Sequence, residues 1–125
     1  MPREACTTDR IAAPVGPFSP GVRVGEFVYI SGQVAQDPTT GRLVGGDVVA
    51  QTEQIFRNLD ALLRSAGKTF SDVIKASVFL TDMSDFTAMN AVYGRHFEAP
   101  YPARTTVAVT ALPLGATVEI DLVAR

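Results

Sequence analysis

From Phe27 to Val34 apolar and polar side chains alternate. Val28, Ile30 and Val34, with Gly32, share one face of a predicted strand, and Phe27, Tyr29, Ser31 and Gln33 occupy the other. Asp37-Pro38-Thr39-Thr40-Gly41 has turn composition and returns the chain as a hairpin through Arg42-Leu43-Val44. After Gly45-Gly46 the period changes. Val48, Ile55, Phe56, Leu59, Leu62, Leu63 and Ala66 recur at helical spacing as one apolar stripe, with Asp47 as N-cap and Gly67 closing the C-terminus in a left-handed turn. Period two resumes from Val73 to Thr81, with Ile74, Ala76, Val78 and Leu80 against Lys75, Ser77, Phe79 and Thr81. A second helix, capped by Asp82 or Ser84, carries Phe86, Met89, Tyr93 and Phe97 on one side and ends before Pro100 and Pro102. Two last strands, over roughly 103–110 and 117–124, are joined by the turn Leu112-Pro113-Leu114-Gly115. The Pro- and Gly-rich run 13–21 reads as an ordered loop or edge segment. Residues 1–10 read as a loose polar terminus before a single domain over 11–125.

This order predicts an α+β fold, a mixed sheet with two helices packed on one face. Val28/Ile30, Ile74/Val78, Val107/Val109 and Val118/Ile120/Leu122 are the rows expected to face the helices. The opposite face then collects Phe27, Tyr29, Ser31, Lys75, Ser77, Phe79, Arg104, Thr106, Glu119 and Asp121. Aromatic rings, hydroxyls and opposite charges mixed on one face suit neither open solvent nor a dry core. Another copy of the chain is the expected cover, in a closed homo-oligomer.

Composition narrows the chemistry. The chain has 125 residues, 46% of them hydrophobic, and 11 Lys and Arg against 13 Asp and Glu give a net charge of −2. An acidic chain without a basic run is a poor candidate for nucleic-acid binding through phosphate neutralisation. With Cys6 as the one cysteine and His96 as the one histidine, neither a disulfide framework nor a Cys/His metal site is expected. No apolar run approaches the ~20 residues that span a bilayer. Met1–Cys6 contains charges and no apolar core of a signal peptide, so a soluble cytoplasmic protein is expected.

Arg104 follows Pro102-Ala103 at a strand start, where its planar guanidinium suits a bidentate grip on a carboxylate, although spacing alone favours the plainer reading of a surface or intersubunit ion pair. Glu119, on the next strand, suits orienting or deprotonating a water, or pairing with Arg104 or Lys75. Ser31 and Thr106 have no base near them in sequence, which disfavours a Ser-His-Asp triad and leaves them as hydrogen-bonding hydroxyls. Asn90, on the inner side of the second helix, either braces a loop or touches ligand. His96 suits the dipole at that helix's C-terminus, and Cys6 lacks the basic surroundings of a nucleophile. The glycines match neither G-x-G-x-x-G nor the Walker pattern, so no nucleotide cofactor is implied.

Val15-Gly16-Pro17-Phe18, Ile30-Ser31-Gly32-Gln33, Asp85-Phe86 with Asn90 and Tyr93, Pro102-Ala103-Arg104, Leu112-Pro113 and Val118-Glu119-Ile120 occur in that order. The set resembles the reactive-intermediate deaminase (RidA, YjgF, L-PSP) family from about Ile11 to Arg125. The resemblance implies a chorismate-mutase-like fold, a homotrimer with clefts between subunits, and no cofactor or metal. It implies hydrolysis of 2-imino acids such as 2-iminopropanoate and 2-iminobutanoate to 2-keto acids and ammonia. In that reading Arg104 grips the substrate carboxylate and Glu119 positions or activates water. Phe18, Ser31, Gly32, Asn90 and Thr106 line the pocket. Two positions depart from the pattern, Phe18 where many members have Tyr and Thr106 where many have Cys. The alternatives that the family leaves open are an endoribonuclease or translation inhibitor, and a non-catalytic ligand-sensing or chaperone-like trimer.

Overall fold

In the computed structural model, which describes residues 2–125, the chain forms one six-stranded sheet and two α-helices. The strands are β1 (Glu4–Cys6), β2 (Gly21–Val24), β3 (Phe27–Gln33), β4 (Val73–Leu80), β5 (Ala103–Ala108) and β6 (Val118–Ala124). Helix α1 spans Val48–Ser65 and α2 spans Phe86–Tyr93. The strand order is β1-β2-β3-β6-β4-β5, antiparallel throughout except for the parallel β4/β5 pair. β3 and β4 both run antiparallel to β6, so α1 crosses over between two parallel strands, and α2 does the same between β4 and β5. The mixed α+β architecture expected from the pattern is present.

All seven residues of the α1 stripe are buried against the sheet, including Ile55, Leu59, Leu62 and Leu63 at zero exposure. Burying one such side chain is worth about 1.5–3 kcal/mol, so this stripe is the main tie between helix and sheet. Asp47 accepts a hydrogen bond from the Ala50 amide at 3.0 Å, as an N-cap should. At the other end the Lys68 amide bonds the Leu63 carbonyl and the Gly67 amide bonds that of Arg64. This closure needs a left-handed residue, and Gly67 supplies φ +73°. The polar residues buried on α1 are satisfied: Gln51 accepts from the Thr117 amide and hydroxyl, and Asn58 donates to the Gln36 carbonyl.

Several expectations need correction. Glu4–Cys6, inside the terminus read as loose, forms edge strand β1 against β2, and Cys6 is buried there. Strand β2, at the end of the Pro/Gly run, was not distinguished because four residues are too few to show alternation. The hairpin after Asp37 is reduced to one bridge, Gln36 to Leu43. Ile74 is 45% exposed rather than in the core, because a register shift between Val73 and Lys75 gives the core position to Val73. The second helix stops at Tyr93, and Phe97 enters the core from the loop beyond it. His96 stacks on Phe56 at 4.1 Å between ring centroids, and burial, reinforced by Arg95, lowers its pKa. With its ring committed to the Phe56 stack and α2 ending at Tyr93, His96 is a packing residue rather than the dipole partner expected.

Candidate active site

The parallel ladder pairs Ala76 with Arg104 and Val78 with Thr106. Ala76 and Val78 are fully buried beneath the helices, so Arg104 and Thr106 share the helix-side face. Alternation alone puts them on the opposite face with Glu119. Alternation fails for β5 because the segment Thr105-Thr106-Val107-Ala108-Val109 offers apolar residues at both parities. The register of β4 decides between them, and Val107 is left exposed on the helix-free side.

The guanidinium of Arg104 is fixed by three neighbours. Its Nη1 donates to Asn90 Oδ1 at 2.7 Å, and its central carbon lies 4.7 Å from the Tyr93 ring centroid and 5.5 Å from that of Phe86. Cation–π contacts of this kind contribute about 0.5–2 kcal/mol and hold the group's plane. One N–H is committed to Asn90 out of five on the guanidinium, and Arg104 lines a cavity of ≈ 320 Å³ with Asn90, Tyr93, Tyr101 and Pro102. None of the ion pairs among the described residues includes Arg104 or Glu119. The hydroxyls of Tyr93 and Thr106 are buried without a partner, and burial raises the Tyr93 pKa against the opposing effect of Arg104.

Glu119 pairs with Phe79 across β6 and β4, and Asp121 with Ser77, so both carboxylates occupy the helix-free face. A bulge in β3 between Ile30 and Gln33 brings Gly32 to this side as well, although strict alternation had assigned it to the core face. A Cβ on Gly32 would fall 2.8 Å from Glu119 Cδ and 2.9 Å from Oε2, so the missing side chain is the space the carboxylate occupies. Burial raises the Glu119 pKa above the ordinary carboxylate value, and the charge of Asp121 adds to the shift. The carboxylate borders a cavity of ≈ 370 Å³ together with Phe18, Ser31 and Gly32. Ser31 Oγ donates to the Ser19 carbonyl at 2.7 Å, which ties β3 to the preceding loop.

The predicted site residues thus fall into two groups. Phe18, Ser31, Gly32 and Glu119 meet at one cavity; Asn90 and Arg104 meet at another, with Thr106 on the same face as Arg104. Within one protomer the sheet separates the two. Helical spacing marks Tyr93 as a core residue, and its contact with Arg104 follows from its i, i+3 spacing to Asn90 on α2. Leu114, a turn residue by sequence, walls the Glu119 cavity. It sits at φ 61°, ψ 16°, a left-handed conformation costing a side chain of this kind about 1–2 kcal/mol. Among the described residues no group of three or more His, Cys, Asp or Glu gathers as a metal site, and no helix is long and apolar enough to cross a membrane.

A sequence model of the family described as endoribonuclease L-PSP matches residues 7–125. The chain is 47% identical to protein DfrA of Myxococcus xanthus, over 99% of this chain and 96% of that one. It is 43% identical to the mouse 2-iminobutanoate/2-iminopropanoate deaminase, over 98% of this chain and 90% of the relative. Among solved structures it superposes on RidA from an Antarctic Psychrobacter with a TM-score of 0.93 at 45% identity, covering 98% of each chain.

Proposed function

The chain belongs to the endoribonuclease L-PSP family, the reactive-intermediate deaminases, and from that premise we propose that it hydrolyses 2-imino acids to 2-keto acids and ammonia. The substrates are those named for the mouse relative, 2-iminobutanoate and 2-iminopropanoate. The reading assigns the reaction to clefts between subunits of a homotrimer with a chorismate-mutase-like fold. The observation that carries it is the division of the site: a fixed guanidinium and an unpaired carboxylate of raised pKa, each bordering its own cavity on opposite faces of one sheet. A head-to-tail contact that lays the Arg104 side of one protomer on the Glu119 side of the next unites them, and such contacts close into rings. It also covers Phe27, Tyr29 and Val107, which are exposed on the helix-free face.

In the proposed cleft the substrate carboxylate forms a bidentate pair with Arg104, whose plane Asn90, Tyr93 and Phe86 hold in advance. A water beside Glu119 gives a proton to the carboxylate as its oxygen bonds to the imine carbon. The carbinolamine nitrogen then takes that proton from Glu119. The C–N bond breaks and ammonia leaves as Glu119, again ionised, takes the hydroxyl proton and the C=O bond forms; ammonia then takes up that proton and departs as ammonium. A carboxyl whose pKa is raised toward the working pH both accepts and returns a proton readily, an effect worth about 10²–10⁴-fold in rate. The protonated imine is already electrophilic, so gripping one end and delivering water supplies most of the remaining acceleration through proximity.

The test follows keto-acid and ammonia release from freshly generated 2-iminobutanoate. Wild type accelerates release, and Arg104→Ala reduces kcat/KM by about 100-fold or more, the loss expected for a charge-assisted bidentate contact with its geometry. Wild type indistinguishable from buffer overturns the reading.

A further inference from the structure

A 2-imino acid with a hydrogen on its third carbon has a tautomer, the 2-amino-2-alkenoate. The two differ in the place of one proton, carried on the third carbon in the imine and on nitrogen in the enamine. Water adds to the second carbon of the imine, which is electrophilic, and not to that of the enamine, which is electron-rich. An enamine entering the cleft is therefore inert until its third carbon is protonated. Among the described residues that border the Glu119 cavity, Glu119 is the one with a titratable side chain. Ser31 commits its hydroxyl proton to the Ser19 carbonyl, and Gln36 donates to the Gly41 carbonyl. Tyr93 and Tyr101 stand beside Arg104, at the end that grips the substrate's carboxylate. The third carbon, like the nitrogen, is bonded to the carbon that water attacks, so an acid placed to serve one is within reach of the other.

Glu119 is free for that step. It makes no ion pair within the protomer, and the bare backbone of Gly32 leaves its carboxyl room at the cavity wall. Burial and the charge of Asp121 both favour its protonated form, and an oligomer adds to the burial. Arg104, brought alongside in the cleft, favours the ionised form until the substrate's carboxylate pairs with it and offsets its charge. Substrate binding thus returns the balance toward a carboxyl with a proton to give. We infer that Glu119 also protonates the third carbon of 2-amino-2-alkenoates, so that the protein takes the enamine tautomer as a substrate in its own right. The carboxyl O–H bond breaks as the C=C electron pair forms the new C–H bond. The nitrogen lone pair becomes the π bond of C=N, leaving a protonated imine beside an ionised Glu119, the state from which hydrolysis proceeds. At the end Glu119 keeps the hydroxyl proton and ammonia leaves uncharged, so the carboxyl is ready for the next enamine with no net proton consumed. The inference rests on the deaminase reading and adds a tautomerisation to it.

The experiment uses the face from which the proton arrives. Glu119 projects from one strand and reaches the substrate from one side, whereas solvent protonates both faces alike. In heavy water, 2-aminobut-2-enoate is released in situ from threonine by a dehydratase whose product, in the absence of this protein, carries deuterium in both configurations at the third carbon. Lactate dehydrogenase and NADH reduce each 2-oxobutanoate to 2-hydroxybutanoate before that carbon exchanges, and NMR reads the configuration. A general acid is worth about 10²–10⁴-fold, so protonation on the protein outruns that in solvent, and one configuration is expected in excess by about 10-fold or more. Glu119→Gln is expected to return the distribution of the dehydratase alone. Faster keto-acid formation by wild type with the label in both configurations overturns the inference and leaves the deaminase reading intact. A one-sided label that persists in Glu119→Gln overturns the role given to Glu119. No acceleration of keto-acid formation by wild type overturns the deaminase reading and the inference with it.

Discussion

The guanidinium of Arg104 is held on three sides, by the Asn90 amide and the rings of Phe86 and Tyr93, whereas no hydrogen bond contributes to the state of the Glu119 carboxylate, which rests against the bare backbone of Gly32. The difference follows the work each group would do. A guanidinium keeps its charge throughout, so every contact that fixes its plane improves the grip. A group that must take up and release a proton is hampered by partners that favour one protonation state. Burial and the neighbouring Asp121 both oppose charge on Glu119, and nothing within the protomer compensates.

The comparison can be broken most severely by separating the two groups onto different protomers. Arg104→Ala and Glu119→Gln should each be nearly inactive alone. Mixed by unfolding and refolding together in equal amounts, they should regain activity in about a quarter of clefts, those that receive one intact side from each variant across a head-to-tail interface. Steady-state assay of the mixture against each parent checks this, and a mixture no better than its parents rules out the shared cleft.

A second change displaces only the carboxylate. Gly32→Ala puts a methyl where Glu119 Cδ and Oε2 now lie, and the flexible end of the glutamate yields. A shift of this size at a reacting group should lower kcat by about 10-fold or more while KM changes little, because the Arg104 cavity is untouched. Unaltered kcat would separate Glu119 from the chemistry.

The smallest effect is on stability, and its sign is informative. The folded-state pKa of Glu119 is raised above its ordinary value of 4.5, so its ionisation opposes folding. The penalty is absent at low pH and grows as pH rises through and above 4.5. Glu119→Gln should therefore melt higher than wild type at pH 7, with the gap closing toward pH 4. Thermal unfolding at the two pH values measures it, and a variant less stable at pH 7 would contradict the isolation of the carboxylate. Arg104→Ala, which loses satisfied contacts, should show no such gain.

Much of this arrangement was legible in the chain. The stripe of α1, its Asp47 cap and Gly67 closure are local signals, each spelled within a few residues, and they reappear unchanged. Glu119 was assigned to the correct face because β6 alternates cleanly from Val118 to Ala124. What failed depends on register. The bulges at Ile30/Gln33 and Val73/Lys75 move Gly32 and Ile74 off their assigned faces; a glycine inside a strand hints at the first, and no residue type marks the second. The face of Arg104 is set by the parallel partner strand, a contact with residues 28 positions earlier (Ala76 with Arg104). The residue types of the site could be named from sequence; its division across the sheet could not.

One consequence of the β5 strand concerns descent rather than mechanism. β5 lies at the edge of the sheet, and none of its six residues is buried within the protomer. The strand bearing the anion-gripping group is therefore the one whose side chains the core depends on least. Substitutions there change chemistry at small cost in stability, whereas changes along β4 or β6 disturb the packing that holds the molecule together. A lineage can lose, keep or retune the arginine while the scaffold stays the same, which is how one fold comes to host members with different trades.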